Sequence, residues 1–73
     1  MDKYEFCKKL CELLQQTEQH KNLKALTYYT DPDGDEWVRP FWEHDKSQYA
    51  GRSICVTADS ETAIIKDVLR GIE

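Results

Sequence analysis

No stretch of the 73-residue chain is uniformly apolar over the roughly 20 positions a helix needs to cross a bilayer. A membrane span is therefore excluded from the expected architecture. The opening residues, Met1-Asp2-Lys3-Tyr4-Glu5, lack the basic start and apolar core of a secretory signal. The expected location is cytoplasmic. Cysteine is scarce and odd in number, with Cys7, Cys11 and Cys55. A secreted disulfide scaffold would carry an even, paired set, so reduced thiols are expected. Positive charge is also short: ten Lys and Arg stand against fourteen Asp and Glu, a net charge of -4. That balance opposes the nonspecific attraction to phosphate on which nucleic-acid binders depend, and it favours a cationic protein surface as partner. There is no Gly-rich phosphate loop. No linker, repeat or low-complexity segment interrupts the chain.

What is present suffices for one small core. Residues of apolar type make up 40% of the chain and include two Trp, four Tyr and two Phe. At this length folding buries only about 60% of the unfolded surface. A single compact α+β domain over residues 1–73 is expected.

From Asp2 to about Gln19, Phe6, Cys7, Leu10, Leu13 and Leu14 recur at helical spacing, with charged and amide residues opposite. His20-Lys21-Asn22 supplies a stop. Leu23 to Thr30 is rich in strand formers and runs into Asp31-Pro32-Asp33-Gly34-Asp35, a hairpin turn in which Pro presets the bend and Gly supplies positive φ. Glu36 to His44 reads as the returning strand. Pro40 within it removes a ladder donor and predicts a bulge, an edge position or an early break. After a polar connection from His44 to Gln48, a third strand fits Tyr49 to Thr57, with Gly51 at a bulge. Asp59 or Ser60 caps a last helix carrying Ile65, Val68, Leu69 and Ile72 on one side. The predicted order is α-β-β-β-α, a three-stranded antiparallel sheet with both helices packed on one face.

That order resembles the double-stranded RNA-binding domain, which also lays two helices on one face of a three-stranded antiparallel sheet. The family's second helix opens on a lysine cluster aimed at phosphates. Here the corresponding residues are Ala58-Asp59-Ser60-Glu61-Thr62, acidic where cations are needed, so the resemblance is one of topology.

Side chains alternate across a sheet, and the aromatics of this one exceed what a small buried face holds. Some therefore point away from the helices. Trp, Tyr and Arg dominate protein-recognition hot spots, so the expected partner-binding residues are Tyr29, Trp37, Arg39 and Trp42, joined by the acidic turn residues Asp31, Asp33, Asp35 and Glu36. The function expected first is a non-catalytic protein-interaction module, an inhibitor or adaptor acting on a nucleic-acid-handling protein, with self-association through the same face as a variant.

Two other classes stand beside it. One is a nucleic-acid binder collecting Lys8, Lys9, Lys21, Lys24 and Lys46. The other is a metal-dependent or catalytic protein built on Cys7, Cys11, His20 and His44. Cys7 and Cys11 lie four apart on one helix, unlike the usual zinc knuckle, and read as buried thiols. The Asp31 to Glu36 run puts Glu36 and Trp42 where a calcium loop needs Gly and Glu. His44, Ser47 and Ser53 form no triad spacing. Neither a metal nor another cofactor is expected, and no enzymatic activity.

Overall fold

The computed structural model describes all 73 residues. Its elements run α1 (Lys3–Leu14), β1 (Leu23–Thr30), β2 (Glu36–His44), β3 (Ser47–Ala50), β4 (Ile54–Cys55) and α2 (Glu61–Ile72). The class is α+β with an antiparallel sheet between two helices, as the sequence predicts. The predicted third strand, however, is two separate pieces.

Both helices begin on side-chain caps. The Asp2 carboxylate accepts the Glu5 N–H at 2.8 Å, and Ser60 Oγ accepts the Ala63 N–H at 3.2 Å. Cys7, Leu10 and Cys11 bury one side of α1, and Ile64 and Val68 one side of α2. The first helix stops at Leu14, short of the predicted Gln19. Gln16 and Thr17 N–H groups reach back only three residues, to the carbonyls of Leu13 and Leu14, and Thr17 Oγ1 donates a second bond to Leu14. This tightened turn redirects the chain into β1, and only a short 3-10 turn, Glu18–His20, follows. Leu13, predicted for the core, is 63% exposed.

The strand β2 is central. It pairs antiparallel with β1 along one edge, and with β3 and β4 in succession along the other. The carbonyls of Glu36 and Pro40 accept from Val56 and Gly51, while the Glu43 N–H donates to Asn22 on the opposite side. Even-numbered residues of β2 thus bond toward β3 and β4, odd-numbered ones toward β1. Pro40 has no N–H to give the third strand, and the ladder fails there: β3 ends at Ala50 and β4 begins at Ile54. Pro40 does not place β2 at an edge or end it early. Instead it interrupts the neighbouring strand.

The connection from β2 to β3 is shorter than predicted. Asp45 and Lys46 both take positive φ, 50° and 69°, so a two-residue turn joins His44 to Ser47. At the other hairpin Gly34 has φ 86°, as its place in the turn demands.

One cluster forms the core. Cys7, Leu10 and Cys11 from α1 meet Leu23 and Leu26 of β1, Val38 of β2, Val56, and Ile64 and Val68 of α2. Both helices therefore cover the same face of the sheet, the one to which Leu26, Val38 and Pro40 point. The three cysteines are free, Cys7 and Cys11 buried and Cys55 exposed. Burial pushes the Cys7 thiol up to about 11 despite nearby Lys3, and it also raises Cys11.

Candidate functional site

The face opposite the helices is built by β-strand alternation. Register places Tyr29 across from Trp37, Thr27 across from Arg39, and Ala25 across from Phe41. On the far side Phe41 faces Ala50 and Trp37 faces Cys55. Tyr29, Trp37, Arg39 and Phe41 therefore share one surface on β1 and β2, with no helix over it.

Each of these side chains is tied down. The Trp37 indole N–H donates to Asp31 Oδ2 at 2.9 Å, and the Tyr29 hydroxyl lies 2.6 Å from Ser53 Oγ. Arg39 Nε donates to the Gly51 carbonyl at 3.2 Å, and its guanidinium carbon sits 5.7 Å from the Phe41 ring centroid. The Gly51 carbonyl is available because the third strand is broken opposite Pro40. Ordered aromatics of this kind lose little conformational entropy when a partner covers them.

Trp42, predicted for the same surface, is on the other one. Its register neighbours are Leu23 and Tyr49, and it packs against the core while stacking on Tyr49 at 5.6 Å between centroids. The strand alternation separates Trp37 from Trp42 because their positions differ by an odd number. Phe41, which the candidate list omitted, takes its place. The same alternation was readable in the sequence.

The acidic turn divides between structure and surface. Asp31 Oδ1 accepts the N–H groups of Asp33 and Asp35 at 2.9 and 3.0 Å while Oδ2 holds Trp37. These bonds, the Trp37 one foremost, lower its pKa. Asp33 and Asp35 remain exposed at the tip.

Glu36 faces the helices instead. Lys3 Nζ lies 2.6 Å from its Oε2, the Tyr28 hydroxyl donates to the same oxygen, and the Ala58 N–H donates to Oε1 at 2.8 Å. Ala58 has φ 60°, so this bond holds a left-handed residue at the entry to α2. The Lys3 and Tyr28 bonds, followed by the Ala58 N–H, bring the Glu36 carboxyl from its ordinary 4.5 down to about 2. Reciprocally, Glu36 and burial push the Tyr28 phenol up to about 12.

A carboxylate with a depressed native pKa stabilises the fold above its unfolded pKa, and that contribution fades as pH falls toward the native value. The window here is about pH 4.5 down to 2. Asp59, beside Asp67 and near Lys3 and Glu36, has a raised pKa and titrates with the opposite sign. Comparison with Glu36→Gln isolates the Glu36 part. The gap in urea midpoint between wild type and the variant should be widest near pH 6 and close steadily on acidification through that window. A gap independent of pH would show that the carboxylate charge is not what holds Lys3 and Ala58.

The other candidate clusters disperse. Lys8 lies in the groove between α1 and β1, Lys9 in the cleft between the helices, and Lys21, Lys24 and Lys46 in a depression at the sheet's end shared with Glu43 and Asp45. Lys24 pairs with Glu43 at 2.8 Å and Lys21 with Glu18 at 3.4 Å. No three His, Cys, Asp or Glu side chains converge in a metal-holding arrangement. His44 is exposed, with Nε2 at 3.2 Å from Asp45 Oδ2. No helix is long and apolar enough to cross a membrane. Compared with protein-family models, curated proteins and solved structures, the chain matches none.

Proposed function

We propose that this protein is a non-catalytic interaction module whose binding surface is the uncovered sheet face centred on Tyr29, Trp37, Arg39 and Phe41. The single observation that carries this reading is the fixed aromatic and Arg cluster on a face that neither helix covers. Such residues contribute most of the energy at protein interfaces, because large rigid rings exclude water and a guanidinium pairs at their rim. The complementary partner surface is apolar at its centre. It carries a carboxylate for Arg39 and basic groups where Asp33 and Asp35 project beyond Trp37. Inhibitors and adaptors of cationic proteins fit that description.

The test is capture by the full chain and by Trp37→Ala from lysate of the source cell after nuclease treatment. A protein retained by the wild type should be lost from the variant, with affinity down by at least about tenfold, or 1.4 kcal/mol. Circular dichroism should be unchanged, because Trp37 is outside the core cluster. Equal retention by both proteins would remove this face from the reading. Loss of every retained protein on nuclease treatment would favour nucleic acid as the ligand.

A further inference from the structure

The open face is not the only unsatisfied surface of the sheet, because β1 is an edge strand. In the β1–β2 register, Ala25, Thr27 and Tyr29 lie opposite Phe41, Arg39 and Trp37, the odd positions of β2 that bond toward β1. Leu26, Tyr28 and Thr30 consequently turn their N–H and C=O groups outward. Along that edge, α1 covers only the start: Gln15 Nε2 donates to the carbonyls of Leu23 and Lys24 at 2.8 and 3.4 Å, and the Leu26 amide lies against the Cys11 thiol. No group in the chain hydrogen-bonds the backbone of Tyr28 or the outward groups of Thr30. Native sheets usually block such an edge or use it.

A groove runs beside this edge. Tyr4, Lys8, Cys11, Glu12 and Gln15 of α1 form one wall, Lys24 to Thr27 the other, around a cavity of about 270 Å³. That volume accepts an aliphatic side chain or two and falls below the usual range for small-molecule sites. Lys8 makes no ion pair within the chain.

From these observations we infer that β1 receives an extended segment of a partner protein as an added strand. Its backbone bonds Tyr28 and Thr30, the outward positions that α1 leaves free, an aliphatic side chain enters the groove, and a carboxylate meets Lys8. Backbone pairing supplies affinity in this mode and the side-chain groove supplies selectivity. A second copy of the chain fits the edge less well. Its own α1 packs on its β1 and scarcely touches β2, so edge-to-edge pairing at a strand spacing of about 4.8 Å would bring two helices closer than the 8–10 Å they need. A lone extended segment brings no helix. This inference does not depend on the open face, and the two can fail separately.

The experiment pans a phage-displayed library of random linear peptides against the full chain, then titrates the recovered peptide, as a synthetic sample, into labelled protein. Amide exchange at Tyr28 and Thr30 should slow by about tenfold or more on binding. Thr30→Pro deletes an outward N–H without deleting a β1–β2 bond, and should weaken the peptide by at least about tenfold. Trp37→Ala should bind it as the wild type does. Failure to recover any peptide would overturn the inference, as would unchanged exchange at both amides, a reading that needs no variant to fold. Slowing that follows protein concentration without peptide would assign the edge to a second copy instead. Loss of the peptide from Trp37→Ala with both edge amides unprotected would move the binding to the open face.

Discussion

Ile64→Ala should lower the free energy of unfolding by about 2–5 kcal/mol, the range for truncating a buried aliphatic side chain to Ala. Ile64 is 0% exposed and belongs to the one core cluster. It lies in the first turns of α2, where the helix must meet residues from α1 and from the sheet. Chains of this length have roughly 0.05–0.15 kcal/mol of stability per residue, and with so little buried interior this one is expected toward the lower end. The loss is therefore a large fraction of the total, and the variant should be partly unfolded at room temperature. Urea unfolding followed by circular dichroism measures it. A loss under about 1 kcal/mol would mean that the neighbours collapse into the vacated space, and that α2 is held mainly by other contacts.

Gly51→Ala should cost about 1–3 kcal/mol, the range for forcing extra volume into a packed site. A Cβ at Gly51 would lie 2.6 and 2.9 Å from two atoms of the Trp42 indole and 3.1 Å from the Pro40 ring. Both neighbours are stiff. Pro40 is buried within β2, and Trp42 is confined between the core and Tyr49. The Gly51 backbone is not in the left-handed region, so the cost comes from contact and not from conformation. A double-mutant cycle separates the two. In a Trp42→Phe background, which removes the outer indole atoms, the same substitution should cost markedly less. Equal costs in both backgrounds would refute the contact account. A Cβ at Gly71 would meet Ile54 as closely, at 2.5 and 2.7 Å from Cδ1 and Cγ1.

The hairpin of β1 and β2 was legible because its signals are local. Thr, Tyr, Trp and Val favour a pleated strand, and Asp31 to Asp35 carries its own turn chemistry through an Asp carboxylate and a Gly at positive φ. The break in the third strand was half legible. Pro40 announced a missing donor, but which strand would lose it depended on the side toward which Pro40 points in the ladder, a matter of register. The turn at Asp45-Lys46 gave half a signal, since Asp tolerates the left-handed region but Lys46 stands where such a pair usually has Gly; the surrounding strands impose it. The candidate surface was legible as a composition and misread as a grouping. Trp37 and Arg39 do share it, whereas Trp42 lies beneath the sheet and Glu36 is committed to Lys3 and Ala58.

The sequence alone determined the α+β class, a cap for the second helix at Asp59 or Ser60, the two long strands and their turn, and the reading of the thiols as free, because each depends on residues near in the chain or on total composition. Only the tertiary structure decided which aromatics meet the core, where the third strand breaks, which carboxylates are consumed in holding the fold, and which backbone groups remain free along β1. Those outcomes depend on pairing between distant residues, and in a sheet a shift of one position exchanges every inward side chain for an outward one.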